Sequence, residues 1–417
     1  MIKPSAVNPP AKKWPALILC ACAVVCLLIL QRPIAASAPK TDNMGADDSR
    51  QASITRVGVA ETSARGSINN SSAQVGVWLT TEEVRQLPQS GPAWEQLKEM
   101  ADQPVGPPDL SIQTIHFSKY QSYIPMIATF PLYTLGADDT TNITILAKAL
   151  VYARTGKNRY REEVEQALGV ITYQNTEDGG RTLSLGRKLV TYVIAADLII
   201  LAEHDPALDR AFREKLRELL DKELDGRTLR STHEHRPNNW GTHAGASRAA
   251  VAVYLGDKAE LDRTAFIFKA YLGDTSYKGF IFGDDLSWQC DPAHPVGVNP
   301  QHCVKQGHVI DGALPDEMRR GGSFKWPPEP TGYPWEGLQG AIVQAQILHR
   351  AGYPAWEWED QALLRAARFL YNLGWPAEGD DTWQPWLFNS VYGTAFPSEL
   401  PARPGKNMGF TDWTHAN

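Results

Sequence analysis

The stretch Arg236-Pro-Asn-Asn-Trp-Gly-Thr-His-Ala-Gly-Ala-Ser-Arg-Ala-Ala-Val-Ala-Val-Tyr-Leu-Gly256 has a polar, aromatic front and a small, apolar back. The back predicts a buried helix. Either Asn238 or Asn239 can cap it, because an asparagine oxygen accepts from the amides of a first turn, and Gly256 is placed to end it. With helical spacing, Asn239 and His243 share one face. The stretch therefore predicts either a core helix with one hydrogen-bonded histidine, or an amide and an imidazole together at a functional site.

Composition narrows the classes of protein that fit. The chain has 417 residues, enough for a large core, and a formal net charge of -6. This charge and the absence of a long basic run argue against nucleic-acid binding, although a local basic cleft can still bind an anionic substrate. The 13 tryptophans favour a carbohydrate ligand, because flat aromatic faces can pack on sugar rings. For most of these tryptophans, a place in the core is the simpler expectation.

The N-terminal sequence is typical of a targeting segment. A basic Lys12-Lys13 pair precedes an apolar run, Trp14–Leu30, and the small residues of Ala36–Ala38 form a cleavage signal. Residues 1–38 are therefore predicted to be a signal peptide, or a signal anchor, since Pro39 disfavours cleavage at this point. The protein is expected to be exported, to the periplasm or outside the cell. No stable membrane partner is expected unless this segment stays uncleaved.

The rest of the chain divides into a linker and one large helical domain. Residues 39–76 are rich in small polar residues and are predicted to be a flexible linker. Residues 77–417 are predicted to be all-α, because helical apolar spacing dominates and strand alternation is scarce. Short turns join helices into hairpins that recur about a hundred residues apart. The predicted fold is an (α/α) toroid, a closed or nearly closed ring of helical hairpins with long loops.

Two cysteines follow the targeting segment, Cys290 and Cys303. In an exported protein, a disulfide is the simplest prediction for such a pair. The alternative is a zinc site that also uses His294 and His302. The disulfide is favoured, because the order of these residues fits no common zinc spacing.

Three loop-rich stretches carry the chemically interesting side chains: Arg236–His243, Asp311–Gly321 and Thr331–Trp335. Together they supply amides, a histidine, arginines and a tyrosine, which suits β-elimination on a uronic acid polymer. The C5 proton of a uronate is weakly acidic, and its removal requires donors that offset the carboxylate charge. A base must reach C5 and an acid must protonate the leaving O4, roles that His and Tyr can fill. An adjacent arginine stabilises a phenolate.

On these residues the sequence resembles the alginate lyase superfamily of α/α-toroid polysaccharide lyases. The resemblance extends from Val77 to about Phe396. Its strongest segments are Ala147–Gly156, Tyr192–Leu198, the Asn238-Asn239 pair and Asp311–Gly321. It implies an enzyme that acts on an anionic polysaccharide and needs no metal or other cofactor.

The motif is closer to one branch of that superfamily than to another. Polysaccharide lyase family 5 has Asn-Asn-His, whereas Trp240 stands in place of that histidine here and His243 follows later. The form Asn-Asn-Trp-Gly-Thr-His looks more like polysaccharide lyase family 38, whose members are alginate or glucuronan lyases. The interval from Arg320 to Tyr333 is also longer than in family 5.

The resemblance assigns roles residue by residue. Asn239, with Asn238, should neutralise the substrate carboxylate, and His243 is the expected base or the partner of the base. Tyr333 should act as the acid and could also serve as the base. Arg320, or its neighbour Arg319, should bind the carboxylate and tune Tyr333.

Each role has a plainer alternative. Asn238 can be only a cap, Tyr333 an ordinary aromatic before a helix, and one of the two arginines should pair with Asp316 or Glu317. The expected substrate-binding residues are Arg236, Asn238, Trp240, Arg319 and Trp335.

The main functional hypothesis is an exported lyase that cleaves a β-linked polyuronate. A glycoside hydrolase is the first alternative, and it requires two carboxylates facing each other, with Asp284 or Asp285 opposite Glu317. A carbohydrate-binding protein without catalytic activity is the second.

Overall fold

The computed structural model describes residues 76–106, 108–110 and 140–416. The predicted signal segment, residues 1–38, lies outside this part of the chain, as does all of the predicted linker except Gly76. Within the described ranges, no helix is both long enough and apolar enough to cross a membrane.

Helices make up most of the described structure. In chain order they are α1 (Thr81–Gln86), α2 (Pro92–Asp102), α3 (Thr141–Thr155), α4 (Asn158–Tyr173), α5 (Thr182–Leu198), α6 (Leu201–His204), α7 (Pro206–Asp221), α8 (Leu229–His235), α9 (Asn239–Leu255), α10 (Lys258–Leu272), α11 (Pro315–Met318), α12 (Tyr333–Arg350), α13 (Trp358–Asn372), α14 (Gln384–Tyr392) and α15 (Thr411–Thr414). A short antiparallel hairpin, β1 (Val304–Lys305) and β2 (His308–Val309), lies between α10 and α11.

The helices form two layers. Helices α3, α5, α9 and α12 pack side by side in that order and make the inner layer. They are buried on almost every face, as expected for helices with no polar stripe. Helices α4, α7, α10 and α13 cover them, and α7 buries one apolar face while it exposes a charged one. The prediction of an all-α toroid built from helical hairpins is confirmed.

Glycines allow the inner helices to approach α9 closely. A Cβ atom on Gly186 of α5 would lie 2.9 Å from the backbone nitrogen of Ala244. On the other side of α9, a Cβ on Gly340 of α12 would lie 2.5 Å from the nitrogen of His243. Real Cβ atoms do not approach backbone this closely, so both positions require glycine. The central helix is therefore fixed between its two neighbours.

The ends of α9 are those that the sequence predicts. Asn238 is the cap, and its Oδ1 accepts from the backbone N–H of Trp240 at 3.1 Å. Gly256 ends the helix in the left-handed conformation, with a φ of 68°. This conformation is accessible to glycine at little cost.

The C-terminal segment, which has no clear sequence pattern, joins the first inner helix to the last. The Asn142 side chain of α3 donates to the backbone oxygen of Lys406 at 3.0 Å. The backbone N–H of Lys406 donates in turn to Gln339 of α12 at 3.1 Å. Farther on, Trp413 packs against Trp94 of α2, with ring centroids 5.5 Å apart. The tail thus bridges the two ends of the inner layer.

The predicted disulfide between Cys290 and Cys303 is present, with the two Cα atoms 5.9 Å apart. The zinc alternative is wrong, because both sulfurs are bonded to each other and His294 instead contacts Asp291 at 2.7 Å. The disulfide anchors the base of the β1–β2 hairpin, since the N–H of Ile310 donates to the backbone oxygen of Cys303 at 2.9 Å.

Candidate active site

The N-terminal ends of α9 and α12 come together around the short helix α11. Asp316 of α11 accepts from the Asn238 side chain at 2.7 Å, and Glu317 accepts from the backbone N–H of Asn239. All four side chains are buried. The loop is therefore fixed onto the start of α9 by the same asparagine pair that the sequence singles out.

Asn238 and Asn239 are in different situations. Both polar atoms of the Asn238 side chain have partners, since Oδ1 caps the helix and Nδ2 donates to Asp316. The role expected for it in substrate binding is not supported, because its polar atoms already have protein partners. The Asn239 oxygen accepts from the N–H of Trp240 at 3.0 Å, and its Nδ2 donates to no side chain or backbone oxygen in the described ranges. Asn239 therefore keeps the donor that its predicted role requires.

Tyr333 and Arg320 form the exposed part of the site. Tyr333 is the first residue of α12, and its side chain is 37% exposed. The guanidinium carbon of Arg320 lies 4.0 Å from the centre of the Tyr333 ring. A cation over the face of an aromatic ring is an attractive arrangement. The structure thus brings together the phenol and the guanidinium that were predicted to act together.

Arg319 points away from this pair. Its Nε donates to Asp316 at 2.6 Å, and its guanidinium group packs against Gly283. The expectation that one of the two arginines pairs with an acidic residue of α11 is confirmed for Arg319. Arg320 is left as the more exposed of the two.

Glu317 is a buried carboxyl group beneath Asn239. Its Oε1 accepts from the backbone N–H of Asn239, and its Oε2 has no hydrogen-bond partner among the described residues. Burial raises the pKa of Glu317 to about 8, with a further upward contribution from the charge of Asp316 and a downward one from Arg320. Glu317 is therefore mostly protonated at neutral pH. From the sequence, Glu317 was considered only as an ion-pair partner of an arginine or as a carboxylate of the hydrolase alternative.

A second buried carboxylate, Glu336, lies one turn into α12. It accepts from the Nε of Arg187 at 2.9 Å, contacts the Nε2 of His243 at 2.9 Å and pairs with the ammonium group of Lys406. Although burial opposes ionisation, the hydrogen bond with His243 and the charges of Arg187 and Lys406 hold the pKa of Glu336 well below its usual value. Glu336, Arg187 and Lys406 were not predicted as site residues.

His243 is completely buried, with 0% of its surface exposed. Burial lowers its pKa, although the hydrogen bond to Glu336 acts in the opposite direction. A side chain without exposed surface cannot touch a substrate in this conformation. Of the two roles expected for His243, the structure therefore fits the partner of the base and not the base itself.

Trp240 and Arg236 form a basic, aromatic flank beside the site. Both are half-buried, and the guanidinium groups of Arg227 and Arg236 lie 5.9 Å and 6.0 Å from the Trp240 ring. Burial lowers the pKa of Arg236, and the positive charges of Arg227 and Arg319 add to this shift. Such a concentration of positive charge suits an anionic ligand.

Trp335 does not join this surface. It is only 4% exposed, its indole N–H donates to the backbone oxygen of Trp375 at 3.1 Å, and its ring packs against Tyr371. The prediction that Trp335 contacts substrate is not supported, because its N–H already has a protein acceptor and its ring packs against Tyr371. The helical spacing of Trp335 from Tyr333 does not show in which direction the Trp335 side chain points.

Across the described ranges, no group of three or more His, Cys, Asp or Glu side chains is arranged to hold a metal ion. The site consists of an exposed tyrosine and arginine, a buried amide, and two carboxyl groups with opposite protonation.

Part of the chain matches a known protein family. Residues 137–282, about a third of the chain, match the family model described as alginate lyase, and this segment includes α9 and the asparagine pair. The resemblance to the alginate lyase superfamily is thereby confirmed for this segment. No curated protein matches the sequence.

Solved structures of an alginate lyase also resemble this chain. Alginate lyase A1-III from Sphingomonas species A1 aligns with a TM-score of 0.47 and 10% identity, covering 82% of this chain and 95% of that one. A variant of A1-III complexed with a tetrasaccharide aligns with a TM-score of 0.45, the same identity and the same coverage.

Proposed function

We propose that the protein is an exported lyase that cleaves a β-linked polyuronate, polymannuronate or glucuronan, by β-elimination. The observation that carries this proposal is the Arg320–Tyr333 pair, an exposed phenol under a guanidinium group. It lies at the same end of the inner helices as Asn239, whose Nδ2 donates to no oxygen within the described ranges. An export location is supported by the N-terminal targeting signal and by the disulfide.

The reaction needs a negative charge to develop on the uronate carboxylate. Asn239 donates to that carboxylate through Nδ2, and Arg320 offsets its charge. The neutral Glu317 beneath them adds no negative charge to oppose this development. The C5 proton then becomes acidic enough for a base to remove.

Tyr333 carries the proton transfer in this proposal. Its phenolate takes the C5 proton, the electrons of the C5–H bond form the C4–C5 double bond, and the C4–O4 bond breaks. The phenol then returns a proton to O4. The guanidinium group of Arg320 stabilises the phenolate while it carries the negative charge. Below the site, Glu336 holds His243 and Arg187 in place.

This use of one residue as base and acid limits the substrate. It requires the C5 proton and O4 to lie on the same side of the sugar ring. They do so in β-linked mannuronate and glucuronate, whereas in guluronate they lie on opposite sides. The proposal therefore favours polymannuronate or glucuronan over polyguluronate.

The test is an ultraviolet assay for the C4–C5 unsaturated uronide. We expect the absorbance to rise with polymannuronate or glucuronan, with polyguluronate as the matched control. Folded protein that gives no signal on any of the three would contradict the proposal. Chelation of divalent metals should leave the rate unchanged, since no metal is expected in the mechanism.

The hydrolase alternative has little support in the geometry. It requires Glu317 to face a second carboxylate across an open cleft, but Glu317 is buried. Asp285 instead accepts from the hydroxyl of Ser323 at 2.8 Å and from the N–H of Ser287 at 2.8 Å.

A further inference from the structure

The loop from Gly321 to Gly332 joins the two exposed residues of the site, since Arg320 precedes it and Tyr333 follows it. Near its middle stands Trp326, whose side chain is 39% exposed. Most other tryptophans in the second half of the chain, such as Trp288 and Trp383, are buried. Packing within the protein does not require an exposed indole on the loop between the two site residues.

The Trp326 ring stacks on a histidine of the β1–β2 hairpin. The imidazole of His308 stacks beneath it, with ring centroids 4.5 Å apart and the two planes 11° from parallel. Because His308 occupies one face, the exposed surface of Trp326 lies outside that face. The pair therefore presents a flat aromatic platform, defined by Trp326 and His308.

The hairpin that supports the platform is firmly held. His308 of β2 pairs with Lys305 of β1, and the disulfide at Cys303 adjoins the hairpin. The Lys305 ammonium group also donates to the backbone oxygen of Gln289 at 3.0 Å. A ring fixed in this way loses little conformational freedom when it binds a ligand, which favours affinity.

The loop that carries Trp326 is fastened to the same body. The N–H of Phe324 donates to the hydroxyl of Ser287 at 2.7 Å, and the indole N–H of Trp288 donates to the backbone oxygen of Gly322 at 3.0 Å. A few residues earlier, Gly283 packs against Arg319. The stretch from residue 283 to 288 thus connects the platform to the candidate active site.

We propose that the Trp326–His308 platform is a distal subsite that stacks on a uronate ring of the same polymer that is cleaved at Tyr333. This inference rests on the proposed function and extends it. Lys305 and Lys325 lie beside the platform, although Lys325 pairs with Glu329 at 2.6 Å. Five residues of loop lie between Arg320 and Trp326 and six between Trp326 and Tyr333, so each distance is at most about 20 to 25 Å. A chain of several sugars is long enough to reach both places.

The experiment compares a long polymer with a short oligomer. Trp326→Ala should raise KM for long polymannuronate about fivefold to tenfold, in line with the strength of aromatic contacts. It should leave kcat for the polymer unchanged and both constants unchanged for the shortest oligomer that is cleaved. Trp326→Phe should restore most of the affinity, because it keeps a stacking face.

Phe266→Ala is the matched control, since Phe266 is 40% exposed and lies on the outer helix α10. Thermal unfolding of each variant shows whether the fold is intact. A polymer KM for Trp326→Ala equal to that of Phe266→Ala would overturn the subsite. An equal loss on polymer and short oligomer would overturn it as well, because the residue would then belong to the central site.

A binding measurement separates this inference from the proposed function. If the wild-type protein cleaves no polyuronate, the lyase proposal fails, and retardation in gels that contain polymannuronate becomes the readout. Retardation that Trp326→Ala abolishes and Phe266→Ala preserves would still support the platform. Retardation that is the same in the wild type and in Trp326→Ala, or absent from both, would overturn it.

Discussion

The two ends of the inner helix α9 differ in whether the buried polar groups near them have hydrogen-bond partners. At its C-terminal end, Asp209 accepts from Arg213 at 2.8 Å and from the hydroxyl of Tyr254 at 2.6 Å. At its N-terminal end, the Oε2 of Glu317 and the Nδ1 of His243 are buried without a partner in the described structure. Burying such groups unpaired costs stability. The difference indicates that the polar groups at the C-terminal end stabilise the fold. Those at the N-terminal end cost stability, as is typical of groups kept for function.

The strongest test of this difference is Tyr333→Phe. It removes only the phenolic oxygen, and we expect activity on polyuronate to fall by about a thousandfold, within the range of acid–base catalysis. Because the side chain is 37% exposed, the melting temperature should stay within a degree or so of the wild type.

Tyr173→Phe is the control for Tyr333→Phe, since Tyr173 is the more exposed of the two and lies at the end of α4. It should leave turnover unchanged. Turnover by Tyr333→Phe within tenfold of the wild type would remove Tyr333 from the mechanism.

The next largest effect is expected for Glu336→Gln, which leaves Arg187 and Lys406 without their shared carboxylate. Breaking one side of a buried ion pair is strongly destabilising, and we expect a loss of about 3 kcal/mol in the free energy of unfolding. Chemical denaturation measures it.

Glu83→Gln is the counterpart near the other end of the inner helices, where Glu83 pairs with Arg350 at 2.7 Å. Its side chain is largely exposed, so the loss should be below about 1 kcal/mol. Equal losses for the Glu336 and Glu83 variants would contradict the proposed difference between the two ends.

Glu317→Gln should reveal itself in the pH dependence of stability. The folded pKa of Glu317 is raised to about 8, whereas an unfolded glutamate titrates near pH 4.3. Between these values only the unfolded state releases the proton, so the free energy of unfolding of the wild type falls as pH rises, and this contribution is constant above about pH 8. Glutamine does not titrate, so the free energy of unfolding of the variant lacks this dependence on pH.

The Gln variant should therefore gain about 2 kcal/mol or more over the wild type at pH 9, given about 1.4 kcal/mol for each pKa unit. Near pH 4 the two should be equally stable, and activity at pH 7 should persist. Parallel stability curves for the two proteins across this range would show that Glu317 is ionised in the folded state.

Apart from the Glu83→Gln control, the smallest of these stability effects is expected for Asn238→Ala, at about 1 to 2 kcal/mol. The change removes the cap of α9, typically worth about 1 kcal/mol, and a hydrogen bond to the buried Asp316. Thr228→Ala, which removes the cap of the short helix α8, gives the comparison. A smaller loss for Asn238→Ala than for Thr228→Ala would show that the loop does not depend on the asparagine.

Local features of the site were predictable to a useful extent. The cap at Asn238, the end of α9 at Gly256 and the pairing of Arg319 with Asp316 all involve neighbours in sequence or regular helical spacing. The disulfide was predicted from the expected export and from the number of cysteines. By contrast, the choice between a buried and a substrate-facing His243 stayed open, and the burial of Trp335 was not predicted, because helical spacing places residues on a face without showing what covers that face.

The sequence by itself determined the helical hairpins, the ends of α9 and the kinds of side chain that meet at the site, since each of these depends on interactions within a few residues. Only the tertiary structure decided which groups are exposed and which are charged. Arg187 and Glu336 are 149 positions apart, and Lys406 reaches Glu336 from a tail without regular pattern. Burial and long-range pairing set the protonation of Glu317 and Glu336 in opposite directions, and both arise only when the ring of helices is assembled.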